Sequence, residues 1–371
     1  MKLVVITHTP HFQEKDALFA YGPYVREMNL WIRYADTVEI VTPIATIERS
    51  PIHERYEKES VEISRIPAIS FVSVSRTLQT LVKLPVVKWK LFSAMRRADH
   101  IHLRCPGTIG LVGCFLQIFF PKKPKTAKYA GNWDPNSKQP FSYRLQKWIL
   151  SNTFLTRNMQ VLVYGDWPKQ SKNIKPFFTA SYPKSKIGNL ATKNFEGPFR
   201  FLFVGSLAPG KRPLYAVQLL HELHRKGVKC FLDMYGEGAE GDALENYIGQ
   251  HNLSESVKLH GNKSSDQVET AYKQSEFLIL PSKSEGWPKV IAEAMFWGVI
   301  PIATPISCVA WMLEEGQRGI LLTKTIERDS EMIFNHLKDA SKLQEMSRQA
   351  QIWSQHYSLD DFEAAIKKLL V

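Results

Sequence analysis

The sequence predicts an α/β protein of two doubly wound parallel sheets, each covered by helices on both faces, with one cleft between them. Three observations predict it. The chain has 371 residues, too many for one core when a domain takes roughly 150. Strand-like apolar runs alternate with segments of helical period along both halves. A polar joint containing Pro and Gly, YPKSKIGNLATKNFEGP (Tyr182–Pro198), separates the two series.

In chain order, the first half reads as strands at Lys2–Thr7, Val38–Pro43, Val61–Pro67, His100–Cys105, Ala127–Gly131 and Gln160–Gly165. Helical period marks Tyr24–Tyr34 and Ser142–Leu150. The longest apolar run, Ile109–Phe120, is too short to span a bilayer, which takes ~18–20 residues, and reads as a buried helix. The opening MKLVVITHTPHF has no cleavage site and reads as a buried strand, not a signal peptide. The second half reads as strands at Phe199–Gly205, Lys229–Gly236, Val257–Gly261, Phe277–Ser282 and Ile300–Thr304. Helices fall between them at Leu214–Lys226, Ala243–His251, Gln267–Gln274 and Pro288–Trp297. In such sheets ligands bind at the carboxyl ends of the strands, so the turns after strands are where chemistry is expected.

Composition narrows the function classes. A hydrophobic content of 44% with 23% charged residues is that of a soluble globular chain. The four cysteines are scattered, with no C-x-x-C pair, as expected of reduced thiols in a cytosolic protein. HTPH (His8–His11) lacks an acidic partner, so loop histidines are expected there ahead of metal ligands. Net charge is uneven. Residues 1–190 carry 28 Lys and Arg against 13 Asp and Glu, or +15, and the rest carries 20 against 23, or −3. The basic half implies either a solvated face or an anionic partner. Nucleic acid is disfavoured, because no helix-turn-helix, zinc-finger or RNP-like signature accompanies the charge. RTLQTLVKLPVVKWKLFSAMRR (Arg76–Arg97) interleaves cations with Leu, Val, Trp and Phe. It reads either as core helices with a basic outer face or as a peripheral attachment to an anionic membrane, and Pro85 argues against one continuous helix.

Three turns carry candidate chemistry. VGSLAPGKRP (Val204–Pro213) sets Lys211 and Arg212 ahead of a helix, a ready phosphate site. YGEGAEG places Gly236, Gly238 and Gly241 after a strand. Its dinucleotide reading is weak, since Glu237 inside the turn would repel a pyrophosphate. SEGWPKVIAEAMFWG (Ser284–Gly298) puts Glu285 before a helix and Glu293 within it, with Pro288 at the first helical position. One carboxylate can accept from sugar hydroxyls and the other from a ribose diol, while the helix N-terminus faces an anion. The plain alternative is that Glu285 caps the helix and Glu293 pairs with Lys289.

Glu285-x7-Glu293 and the following EAMFWGVIPIAT resemble the donor-site signature of retaining glycosyltransferases of family 4, glycosyl transferases group 1, with the GT-B fold of two Rossmann-like domains. FLFVGSLAPGKRP, FLDMYGEG, VKLHG, AYKQSEFLILPSKSEG and GQRGILL follow in the family's order, so the likeness covers about residues 198–325. The resemblance implies that Glu285 contacts the transferred sugar and Glu293 the ribose. Lys211 would hold the diphosphate, with Arg212, Gly205, Ser206, Gly236 and the Gly286, Trp287, Pro288, Lys289 and Val290 backbone around the donor. His260, Gly261 and Lys263 would hold the base by main-chain contacts. The domains expected are 1–185 on the acceptor side, 186–350 on the donor side, and 351–371 as a helix crossing back.

The chain also departs from the family. Ser206 stands where an Arg is common, with Arg212 as the substitute cation. Gly22 stands alone where a Gly-Gly turn is common. AGNWDP, with Asn132 and Asp134, replaces a histidine near the reacting carbon. No Asp-x-Asp occurs, so no metal and no other cofactor is expected. The partners implied are a UDP- or GDP-sugar and a saccharide or lipid-linked acceptor, in the cytoplasm or on the inner face of the membrane. A non-catalytic GT-B scaffold and a GT-B sugar-nucleotide epimerase remain alternatives.

Overall fold

The computed structural model describes residues 1–15, 17–45, 52–70, 74–188 and 193–370, with side chains of 74–76 excepted. Part of the joint read at Tyr182–Pro198, residues 189–192, and the side chain of Arg76 lie outside the described residues. The chain divides into two compact units, Met1–Phe178 with 362–371, and Thr179–Asp361.

The first unit runs β1 (Lys2–Ile6), β2 (Phe12–Glu14), β3 (Ala17–Tyr21), α1 (Gly22–Ile32), β4 (Thr37–Pro43), β5 (His53–Arg55) and β6 (Val61–Ile66). It continues with α2 (Val74–Arg97), β7 (His100–Cys105), α3 (Thr108–Leu116), β8 (Lys125–Tyr129), α4 (Phe141–Ser151), β9 (Met159–Tyr164) and β10 (Ile174–Phe177). Seven strands form one sheet in the order β10-β9-β8-β7-β1-β4-β6, and every neighbouring pair is parallel. Apolar side chains of its central strands, such as Val4, Ile6, Leu103 and Val161, pack with Leu91 and Met95 of α2 and Ile109 of α3.

The second unit runs β11 (Phe199–Val204), α5 (Pro213–Arg225), β12 (Cys230–Tyr235), α6 (Gly241–Gln250), β13 (Val257–Leu259), α7 (Ser265–Gln274) and β14 (Phe277–Leu280). Then come α8 (Lys289–Phe296), β15 (Ile300–Ala303), α9 (Val309–Met312), β16 (Ile320–Leu321), α10 (Ile326–His336) and α11 (Ala340–Gln355), and the chain ends in α12 (Leu359–Leu370), which from Phe362 on belongs to the first unit. Six strands pair in the order β13-β12-β11-β14-β15-β16, again all parallel. β11 is central, and Phe201, Phe203, Phe277 and Ile302 of the sheet pack with Val217, Leu220 and Leu223 of α5. Two parallel sheets of this order are two Rossmann-like halves.

Several sequence expectations need correction. The unit boundary lies at Phe178/Thr179, not 185/186. Ser181 and Tyr182 belong to the second unit because Ser181 donates to Glu293 and Tyr182 packs its ring on Phe296 and Trp297. The tail also divides later than 350/351. Ser354 donates to the Ala292 carbonyl and stays with the second unit, whereas Phe362 packs on Phe177 and Phe178 of the first. A three-stranded sheet, β2-β3-β5, was not foreseen. α2 runs unbroken through Pro85, which is exposed. The carbonyl that loses its partner belongs to Leu81, four residues earlier and on the exposed side of the helix, so the helix continues. β8 begins at Lys125, two residues before the expected strand. Lys125 can enter a strand because its ammonium donates to the Phe120 carbonyl at 2.8 Å. Pro288 is the N-cap of α8 and not its first residue.

Candidate donor site

The second unit builds its candidate site on the turns after adjacent strands β11, β12 and β14. The turn after β11 is closed by two backbone bonds, Lys211 N–H to the Ala208 carbonyl and Tyr215 N–H to the Arg212 carbonyl. A third, from Lys283 N–H to the Gly210 carbonyl at 2.8 Å, ties it to the turn after β14. That tie sets the two sequence-distant motifs side by side. Lys211 Nζ then meets Glu285 Oε1 at 2.5 Å. Glu285 is the more buried of the pair, its side chain 10% exposed against 29% for Lys211. No side chain caps α8, so Glu285 serves as an ion-pair partner and not as the cap.

Arg212 sits at the N-cap of α5 in the left-handed conformation, φ 53° and ψ 52°. Its guanidinium lies 4.2 Å from the Tyr215 ring centre, and the Tyr215 hydroxyl donates to buried Asp329 at 2.5 Å. Asp329 also accepts from Thr323 and from the Lys324 amide, so this ring is firmly placed. Ser206 is exposed at the head of the same turn.

The Gly-rich turn after β12 has a packing role. A Cβ at Gly236 would lie 2.0 Å from the Gly205 carbonyl oxygen, and one at Gly238 would lie 2.5 Å from that of Leu207. Gly236, with φ 139°, also donates its N–H to the Gly261 carbonyl at 2.9 Å. Only glycine lets the backbone of this turn lie against the β11 turn on one side and the β13 turn on the other. Glu237 turns its carboxylate to the Asn262 amide and side chain at 3.2 and 3.0 Å. His260 stacks on Tyr235 with centroids 4.6 Å apart and bonds Asp233 through Nε2 at 2.6 Å. Lys263 is exposed beyond it.

At α8, Gly286 offers its carbonyl to the Ser307 hydroxyl at 3.1 Å and the Cys308 thiol at 3.3 Å. Trp287 points away from the turn into an aromatic cluster with Trp311, Trp353 and Tyr357. What it can offer to the site is its backbone. Pro288, Lys289 and Val290 form the start of the helix. One turn on, Glu293 accepts from Ser181 at 2.5 Å and from Tyr272 at 3.2 Å. Burial and the nearby Glu293 charge hold both the Tyr272 and Tyr182 phenols above their usual pKa. Both hydroxyls therefore stay protonated, and that of Tyr272 remains a donor to the carboxylate.

Ser181, Tyr272 and Asp233 were missed from the sequence. Ser181 lies in what reads as linker, and Tyr272 carries the apolar signal of any helix core. The remaining candidates, Gly22, Asn132 and Asp134, belong to the first unit. Gly22 is glycine because a Cβ there would stand 2.6 Å from the Glu54 carboxylate and 3.0 Å from the Ile52 carbonyl. Asn132 Oδ1 accepts from the Asp134 amide and Asp134 Oδ1 from the Asn136 amide, both at 2.8 Å. These are Asx turns that fold the loop on itself. His11 of the HTPH segment is buried and bonded to Thr9, Thr42 and Tyr56, which makes it a core histidine.

Residues 190–353 match the family model for glycosyl transferases group 1. A solved structure of Anabaena HepE in complex with UDP superposes at a TM-score of 0.68 with 15% identity, covering 100% of this chain and 99% of that one. The chain has the GT-B fold, and its second unit carries the segment that matches glycosyl transferases group 1. Among curated relatives, an uncharacterized glycosyltransferase of Methanocaldococcus jannaschii is 27% identical over 176 residues, 47% of this chain and 48% of that protein. Alpha-D-kanosaminyltransferase of Streptomyces kanamyceticus is 30% identical over 121 residues, 33% of this chain and 31% of its own. The chain thus spans about half, or less, of the length of these relatives. The match falls on the domain that holds Lys211, Glu285 and Glu293.

Proposed function

We propose that this chain transfers a sugar from a UDP- or GDP-sugar to a saccharide or lipid-linked acceptor, with retention and without a metal. The observation that carries the reading is the 2.5 Å Lys211–Glu285 pair at the carboxyl edge of the sheet, beside the start of α8. An arriving diphosphate would take Lys211 as its counter-ion and free Glu285 to accept from sugar hydroxyls. Glu293, a turn further along, is the acceptor proposed for the ribose diol. The HepE complex with UDP supports a uridine donor.

In the reaction, the bond between the anomeric carbon and the diphosphate oxygen breaks, and the acceptor oxygen bonds that carbon from the same face. The acceptor proton passes to the leaving diphosphate. Lys211, Arg212 and the α8 N-terminus would stabilise the charge that develops there. The four cysteines are free and buried, which supports a reducing compartment.

A second reading, a GT-B scaffold without activity, draws on the Asn132–Asp134 loop, whose carboxylate and amide are occupied in turning the backbone. Incubating the purified chain with UDP- and GDP-sugars, with and without EDTA, separates the two. Slow release of nucleoside diphosphate, unaffected by EDTA, is expected, with retained configuration in the product. Absence of both release and thermal stabilisation with every sugar-nucleotide tried would leave the scaffold.

A further inference from the structure

We propose that the outer face of α2, α3 and α4 docks on an anionic lipid bilayer. The surface belongs wholly to the first unit and is independent of the donor site. The sheet order places these helices together. Chain connections β6–α2–β7, β7–α3–β8 and β8–α4–β9 all step one way across the sheet, whereas β1–α1–β4 steps the other way. Right-handed crossovers then put α2, α3 and α4 on one face and α1 on the opposite one. Phe92 of α2 confirms the neighbourhood, its ring lying 5.0 Å from Phe120 and 6.4 Å from Phe119 just past α3.

α2 is apolar on two sides. Val87, Leu91, Ala94 and Met95 face the core and are fully buried. Leu78, Val82, Val86, Trp89 and Phe92 recur every three or four residues on the other side and stand exposed, Val82 at 81% and Trp89 at 69%. An ordinary surface helix puts polar residues there. Of the sixteen large apolar side chains exposed among the described residues, eleven lie between Leu78 and Phe154.

Charge decides the occupant. Residues 74–160 carry fifteen Lys and Arg against two acids, Asp99 and Asp134. Two cations in α2 are held inward: Lys90 donates to the Arg65 carbonyl at 2.6 Å, and Arg97 pairs with Glu39 at 2.7 Å. Lys88, Arg96 and Lys122 are exposed among the apolar residues, and Lys83 is half-exposed. A second copy of the chain would bring like charges together. A bilayer with acidic headgroups meets the cations and, just beneath, the hydrocarbon-facing Trp and Phe. α2, with 24 residues, is ~36 Å long at 1.5 Å per residue, and would lie along that surface. If sugar transfer holds, the docked face favours a lipid-linked acceptor over a soluble one.

The test is sedimentation of the full chain with phosphatidylcholine vesicles and with vesicles containing phosphatidylglycerol, at low and high salt. Binding is expected only to the acidic vesicles, and weakened by salt. Replacing Lys83, Lys88, Arg96 and Lys122 by Ser should weaken it by about fivefold per cation. A separate Trp89→Ser, Phe119→Ser variant should weaken it at any salt. Circular dichroism melts of both variants check folding. Brominated acidic lipids should quench fluorescence in the wild type and much less in a Trp89→Phe, Trp148→Phe variant, which keeps the apolar surface. No pelleting with acidic vesicles at low salt would overturn the proposal. So would equal pelleting with neutral ones, or concentration-dependent dimers abolished by the Trp89 and Phe119 changes. None of these readouts uses a sugar-nucleotide, so they succeed or fail apart from the donor reading.

Discussion

The carboxyl ends of the strands differ between the two units. In the second, charged groups pair on tight turns, as Lys211 and Glu285 do, the lysine 29% exposed, and the donor site proposed above would have them exchange that pairing for a ligand. In the first, Arg104 and Lys128 are buried around Glu27, with Lys128 also facing the Tyr164, Phe177 and Phe362 rings. Removing Glu27 from such a cluster would leave two cations buried without their counterpart, which is strongly destabilising. In the proposed donor site the Lys211–Glu285 pair would give up a partner to a substrate, whereas the Glu27 cluster is bound into the fold. A polar residue at a strand end is therefore a functional candidate only when water can reach it.

The largest effect expected is at the Lys211–Glu285 pair. Glu285→Gln keeps the shape and removes the charge that sugar hydroxyls would meet. Transfer should fall on the order of 10²- to 10³-fold, while UDP affinity, measured by calorimetry, stays within about threefold. An equal loss in both would move Glu285 to the nucleotide and undo the assignment.

The next prediction concerns the core of the first unit. His11, His100 and His102 are the fully buried histidines among the described residues, and all belong to it. Burial pushes His11 and His100 each down to about 4. The folded unit therefore binds fewer protons than the unfolded chain, whose histidines titrate near 6.5. Their stabilising contribution is complete above pH 6.5 and is lost as pH falls towards 4, at a cost of about 2 kcal/mol per histidine by pH 5. Hydrogen exchange at pH 7 and pH 5 should show the first unit opening more readily in acid than the second. His100→Asn should reduce that slope. Uniform loss across both units would mean the contrast is not carried by these histidines.

Lys211→Ala should cost about 1.5–3 kcal/mol in binding of the diphosphate and much less for the nucleoside alone. Glu293→Ala should cost a similar amount for both. If uridine and UDP weaken equally in the Lys211 variant, the cation is acting on the fold of the turn and not on phosphate.

The same contrast explains what was legible in the sequence. Lys211, Glu285, Glu293 and the glycines of the second unit sit in local motifs whose spacing fixes them on strand–turn–helix junctions. The tie that joins two of those turns, Lys283 to Gly210, is a backbone bond and leaves no mark in residue type. Short strands such as Phe12–Glu14 carry too few alternations to register, and Lys125 in β8 reads as polar although carbonyls receive it. Pro85 in α2 was read by its usual effect, which holds when the orphaned carbonyl is buried and not when water reaches it.

The smallest effect expected is at Ser181. Its hydroxyl donates to Glu293 Oε1 and Tyr272 donates to Oε2. A carboxylate has about four acceptor positions, so these two donors leave room for a ribose diol on the same group. Ser181→Ala should therefore change UDP affinity by no more than about threefold, since the diol compensates for the lost donor in the complex. The folded chain without ligand should lose roughly 1 kcal/mol or less, because one partner, Tyr272, remains. Calorimetry and a melt on the same variant give both numbers. A tenfold or greater loss of UDP affinity with an unchanged melt would make Ser181 a nucleotide contact in its own right, and the exposed-pair rule would then need to include a residue that the sequence places in a linker.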